Sequence, residues 1–298
     1  MPVRVTQSMM NTQMMRNLNS SMVRMDNLQN QLATGRKINK PSDDPVGISF
    51  AMRYRTEYTA NEQFESNVDA ALSWLDYSDT MLNQAGNVLH RVRELSVQAA
   101  NGTNPDTAFD AIQIEISQLK DQMIEIVNSQ FNGKYVFNGQ VTDVPPYDKA
   151  APHESVSDEG TVLFDIGPGV SIGVNVTGNK IIGMPEDDDN LFKVFDSIIA
   201  GLEEHDENLV GEALADLDTR MDRFLELRAD VGARSNRIVL AQDRLKDIGI
   251  NLQTMQTKTE DADMAVVITN LKMSENVYQA SLATGSRLIQ QSLIDFLR

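Results

Sequence analysis

The sequence predicts a mainly α protein: a long antiparallel helical rod or coiled-coil hairpin that carries a small β-rich inserted domain. Three observations lead there. Apolar residues repeat at heptad spacing toward both ends of the chain. Of 26 glycines and prolines, 13 fall between Gly133 and Pro185, and no proline follows Pro185. Within that central stretch the apolar period changes from helical to β-branched runs. The expected division is a terminal coiled-coil domain from 1–44 and 256–298, a helical rod domain from 45–133 and 190–255, and a β-rich insertion over 134–189.

The elements follow in order. Met14, Ser21 and Leu28 take one seam position of the first helix, and Leu18, Met25 and Leu32 the other. Pro41 and Pro45 interrupt that stripe at an elbow, where Ser42 and Asp43 are the expected caps of the next helix. From about Val46 to Ala100 no proline occurs, and Val68, Leu75, Leu82 and Leu89 stand seven apart, so one very long helix is expected. Gly102 ends it and Pro105-Asp106 restarts the chain. Ile112, Ile116, Leu119, Met123 and Ile126 then predict a helix of about 25 residues packed back on the first.

Lys134–Gly139, Thr161–Ile166 and Val170–Val176 read as strands of a small antiparallel sheet. Helical spacing resumes at Leu191, continues through Leu217 and Phe224, and passes Ile238, Leu245 and Leu252. The last segment sets Met264, Leu271 and Tyr278 on one seam and Ile268, Leu282, Ile289 and Phe296 on the other. Two heptad-bearing ends predict that they meet as antiparallel neighbours, ordering fully when they pack against copies or partners.

The net charge of −17 argues against nucleic acid as a partner. That charge is uneven: residues 1–60, 61–139, 140–230 and 231–298 carry +4, −7, −15 and +1. With no cysteine, disulfides, a catalytic thiol and thiolate zinc sites are excluded. No apolar run approaches a membrane span, and the amino terminus lacks the apolar core of a secretory signal peptide. Neither membrane insertion nor general secretion is expected.

Catalytic chemistry finds no footing. His90, His153 and His205 lie far apart with no metal-ligand spacing, and no nucleophile elbow occurs. Gly167-Pro168-Gly169 reads as a turn rather than a phosphate cradle. Glu186-Asp187-Asp188-Asp189 lacks the ligand pattern of a calcium loop, so a solvated loop is expected, with Asn190 capping the helix at Leu191. Neither an enzyme, a cofactor nor a metal is expected. Met9, Met10, Met14, Met15, Met22 and Met25 crowd the first helix, either as core filling or as an adaptable surface for several neighbours.

Two motifs at opposite ends carry a family resemblance. Leu32–Pro45, chiefly Gly35, Ile38, Asn39, Asp43 and Asp44, resembles the amino-terminal signature of the bacterial flagellin family. Glu260-Asp261-Ala262-Asp263 resembles its carboxy-terminal signature. Phe131–Gly139, Asn270–Ala280 and Ser292–Arg298 are similar to the hook-filament junction branch of that family.

The resemblance implies a structural adaptor exported unfolded, without a cleaved signal peptide, to the extracellular flagellum. Its ends would line an inner tube and the insertion would face outward. The implied partners are a ring of its own copies, hook-associated protein 1, flagellin and a flagellar export chaperone, with neither nucleic acid nor membrane. Met14, Leu18, Met25, Leu28, Leu32, Met264, Ile268, Leu271, Tyr278, Leu282, Ile289 and Phe296 are the expected assembly interface. The alternatives are a short flagellin that forms the filament itself, an intracellular coiled-coil scaffold, and an adhesin or enzyme carried by the insertion.

Overall fold

The computed structural model describes residues 7–100 and 106–294. Seven helices dominate them: α1 (Gln7–Thr34), α2 (Pro45–Ala100), α3 (Asp106–Val127), α4 (Gly178–Ile182), α5 (Leu191–Glu203), α6 (Glu207–Glu260) and α7 (Met264–Ile294). Two antiparallel two-stranded sheets complete them, β1 (Gln130–Phe131) with β2 (Lys134–Tyr135), and β3 (Leu163–Gly167) with β4 (Val170–Gly173). The mainly α class with a small β part is therefore observed. The chain forms two compact units, Met1–Ala60 with Gly249–Arg298, and Asn61–Ile248.

The Asn61–Ile248 unit is built on two long helical segments that run antiparallel. Asn61 donates to the Leu245 carbonyl at 3.0 Å, Gln242 to Asp69 at 2.6 Å, and Arg93 pairs with Asp218 at 2.6 Å. Between them the expected seam is buried: Val68, Leu75, Leu82 and Leu89 on α2 face Leu217, Phe224, Val231, Ile238 and Leu245 on α6, each set spaced by sevens. At Gly86 the ring of Phe224 comes within 3.3 Å of where a Cβ would stand, so a glycine there lets the helices close up. Helix α3 is tied to α2 by Arg91 and Glu115 at 2.7 Å and to α5 by Lys120 and Asp196. The buried faces of α3 and α5 join the same apolar core, with Ile112, Ile116, Met123, Phe192, Phe195 and Ile198.

Less sheet forms than the β-branched runs suggest. The β1–β2 hairpin turns through Asn132 and Gly133, both at positive φ, and sets Phe131 against Trp74 at 5.9 Å. Of the run from Lys134 to Gly139 only the first two residues are strand, because Val136 and Phe137 are drawn into the core as anchors. Of Val170–Val176 only the stretch to Gly173 is regular strand, with one more bond from the Val174 N–H to the Val162 carbonyl at 3.1 Å, and Thr177 leads into α4, a short helix that periodicity did not signal.

What replaces the ladder is a set of asparagines. Asn128 exchanges two hydrogen bonds with the backbone of Tyr147, Asn138 bridges Val144 and Asp158, Asn175 bridges Gly160 and Val162, and Asn179 brackets Ser157. Each carboxamide presents an N–H donor and a carbonyl acceptor side by side, as a peptide group does, so irregular buried chain is satisfied without strands.

The other unit is sparser. In it α1 and α7 run antiparallel, with Met14 beside Gly285 at one end and Gly35 bonded to Ala262 at the other. Its buried apolar residues among those described include Leu18, Ile38, Ala51, Val267 and Leu271, few for helices this long. Amide exchange should therefore be at least about a hundredfold faster in residues 8–34 and 264–286 of the free chain than in 68–92 and 217–245. Equal protection in the two sets, measured by exchange and mass spectrometry, would contradict this.

Candidate assembly site

A polar cluster forms where α1 and α6 end and α2 and α7 begin. Gly35, at φ +72°, carries the chain out of α1, its N–H donating to the Gln31 carbonyl at 2.9 Å. Arg36 then forms an antiparallel bridge with Asp261: the Lys37 N–H donates to the Glu260 carbonyl at 2.6 Å and the Ala262 N–H to the Gly35 carbonyl at 2.9 Å. Ile38 is buried beneath the elbow. Asn39 donates to the Arg36 carbonyl at 3.0 Å, and the Asp43 carboxylate accepts from the Asn39 and Lys40 N–H groups at 3.1 and 2.9 Å.

Asp44, rather than Ser42 or Asp43, caps α2, accepting from Val46 and Gly47 at 3.1 and 2.9 Å. Proline at the first helical position sets the boundary, so the residue before Pro45 is the cap. Asp263 caps α7 in the same way through Ala265 and Val266.

At the centre lies Glu260, whose side chain is wholly buried. Its Oε1 lies 2.6 Å from Arg36 Nε, its Oε2 accepts from Arg55 Nε at 2.9 Å, and a second Arg55 nitrogen closes a two-pronged pair. Gln256 adds a longer contact at 3.4 Å. Burial alone pushes this carboxyl up, but the hydrogen bonds and charge of Arg55, joined by Arg36, outweigh it and hold the group below the usual carboxylate range. All nine motif residues thus meet in one elbow. No local pattern marks Arg55, although a buried glutamate requires a cation partner.

The expected interface residues separate by exposure. Leu18 and Leu271 are buried between α1 and α7, and Met14, Met25, Leu28, Leu32 and Tyr278 are half-buried. Met264, Ile268 and Leu282 are exposed, because the stripe that α7 turns inward runs through Val267, Leu271, Tyr278 and Gly285 instead. The side chain of Ile289 and all of Phe296 lie outside the described residues. Met9, Met10, Met15, Met22 and Val23 on α1, and Val266, Met273 and Val277 on α7, are exposed as well.

The acidic loop before α5 differs from a fully solvated one. Asn190 does cap α5, accepting from Phe192 and Lys193. Asp189, however, is buried between Arg220 at 2.7 Å and Arg223 at 3.0 Å. Burial pulls the Arg220 guanidinium below its ordinary value while Asp189 works to restore it. Among the described residues no three acidic or histidine side chains gather as metal ligands, and no helix is long and apolar enough to cross a membrane.

Comparison with known proteins gives a consistent set. Residues 5–142 match the bacterial flagellin N-terminal helical region, and residues 212–297 the bacterial flagellin C-terminal helical region. The chain is 31% identical over 258 residues to a flagellar filament 30.7 kDa core protein of Treponema maltophilum, covering 85% of this chain and 84% of that one. It is 25% identical over 320 residues to flagellar hook-associated protein 3 of Salmonella typhimurium, covering 99% and 100%. A solved structure of a putative flagellar hook-associated protein from Vibrio parahaemolyticus shares the fold, with a TM-score of 0.67 at 21% identity, over 74% of this chain and 100% of that one.

Two substitutions test the elbow. Glu260→Gln leaves two arginines facing a neutral group and should destabilise the terminal unit by about 3 kcal/mol, the lower end for a broken buried pair because both arginines reach solvent. Since the native carboxyl titrates below its unfolded value, this contribution is complete above the ordinary carboxylate range and is lost as pH falls through the lowered native value. The deficit of the variant should therefore be largest at neutral pH and shrink in acid, as read by amide exchange of residues 36–60. Gly35→Ala meets no atom within 4 Å, so its cost, about 1 kcal/mol, is that of the left-handed backbone alone. Urea unfolding followed at the same amides measures it.

Proposed function

The chain belongs to the bacterial flagellin family, and on that premise we propose that it is the structural adaptor between hook and filament, bound to hook-associated protein 1 on one side and flagellin on the other. Chains of this kind are flagellar structural proteins. The narrower junction role rests on one observation: the correspondence with a hook-associated protein 3 runs the whole length of both chains, 99% of this one and 100% of that one.

In this reading the three-part division is functional. Segments 1–44 and 256–298 form an inner tube with copies of themselves, 45–133 and 190–255 a helical rod, and 134–189 an outward insertion. The exposed faces of α1 and α7 suit such packing, since Ile268, Leu282, Met15 and Met22 are apolar and uncovered in the single chain. Met14, Met25, Leu28, Leu32, Met264, Tyr278, Ile289 and Phe296 complete the proposed contacts, while Leu18 and Leu271, buried between α1 and α7, hold the pair together within each copy. Methionine-rich faces adapt to differently shaped neighbours, which a subunit between two lattices needs. The chain would travel unfolded to the cell exterior with the help of an export chaperone.

A second reading, that the chain builds the filament itself, draws on the 31% identity to a filament core protein. Deletion separates the two. Cells lacking the junction subunit should release flagellin monomer and bear hooks without filaments, seen by electron microscopy and in culture supernatant. Full filaments in the deletion strain would overturn the junction reading. Long filaments grown from the purified chain alone would favour the second.

A further inference from the structure

We propose that α6 around Leu240 is a docking surface for the outer face of α3 on a second copy of this chain. The proposal rests on the assembly reading above but concerns the Asn61–Ile248 unit, to which that reading assigns no contact between copies.

Leu240 is 70% exposed and lies between Arg237 and Arg244, three residues before it and four after, so all three share one helix face. With Ala241 they line an open cleft of about 370 Å³ against Ile166 and Val170 of the β3–β4 hairpin. Arg237 and Arg244 have no carboxylate within ion-pair distance among the described residues, whereas Arg234, one turn back, is already held by Asp230 at 2.5 Å. An apolar knob between two uncommitted guanidinium groups calls for an apolar side chain flanked by carboxylates.

The outer face of α3 supplies that pattern. Ile114 is 64% exposed, and Asp110 and Asp121, four residues before it and seven after, are exposed with no cation in ion-pair reach among the described residues. A shift along the axis leaves α3 of the neighbour parallel to α6, and with Leu240 on Ile114 Arg237 and Asp110 then lie about 4.5 and 6 Å along the axis on the same side of the central pair. On the other side Arg244 and Asp121 are offset by about 4.5 Å, which the long arginine stem spans.

The two faces cannot meet within one copy. Glu115 fixes α3 beside Arg91 of α2, while Gln242 fixes α6 beside Asp69, 22 residues earlier on α2 and so about 33 Å away along that helix. Each face therefore stays unpartnered until a neighbour shifted along the helix axis presents the other. Unlike faces in contact make a head-to-tail interface, which closes into a ring or continues as a helix rather than stopping at a dimer.

The chain has no cysteine, so a cross-link can be placed without background. Flagella sheared from cells that make full-length chain with Leu240→Cys and Ile114→Cys together should give a ladder of cross-linked copies on mild oxidation. Either substitution alone should give monomer. Adding Arg237→Glu and Arg244→Glu should cut the cross-link yield at least about tenfold, and adding Asp110→Arg and Asp121→Arg as well should restore it. A chain present in flagella that gives no ladder, or that dimerises through Leu240→Cys alone, overturns the proposal. A chain absent from flagella instead overturns the assembly reading on which it rests.

Discussion

A single buried carboxylate organises the terminal unit. Glu260 ends α6, and the two arginines that neutralise it come from the loop after α1 and from the third turn of α2, so one charge ties three segments together. A carboxylate wholly out of water is tolerated only with such partners. The neighbouring geometry follows from holding Arg36 and Arg55 in place. Gly35 takes a positive φ to swing Arg36 round, the Arg36–Asp261 bridge fixes the strand-like approach, and Asp44 and Asp263 start α2 and α7 on either side. Little apolar surface is buried here, so polar geometry rather than core packing specifies the join.

The other unit depends on the opposite economy. Its long helices interlock through sevenfold-spaced aliphatic residues, with Gly86 admitting Phe224, and the insertion adds Phe137, Ile181 and Ile182 to the same core. Charged pairs such as Arg93 with Asp218 lie at the rim, where they set register more than stability. One buried ion pair is the exception: Arg220 with Asp189 pins an otherwise acidic loop against α6.

Periodicity made the helical seams legible, because a buried stripe leaves its spacing in the sequence: Leu75, Leu82 and Leu89 could be placed in a core before any coordinates. The motif residues were legible as a group, but not their convergence, since Arg55 lies on an ordinary helix face with no local signal. The asparagines that stand in for a β-ladder were invisible for a related reason. Asn138, Asn175 and Asn179 act across 15 to 22 residues, and turn-forming asparagine looks the same in sequence as core-forming asparagine. On α7 one expected seam line, Leu271 and Tyr278, does face inward and continues to Gly285, which lets α1 approach, whereas the other falls on Val267 rather than Ile268.

The division of the chain also sets an order in time. Arg55 and Glu260 are 205 residues apart, and closing a loop of that length before anything else has formed is entropically costly and slow. Residues 61–248 hold a core of their own, and forming it draws the two ends of the segment into reach and removes most of that search. The elbow, and the helices it carries, should therefore be the last part of the molecule to be completed and the first to be released on unfolding.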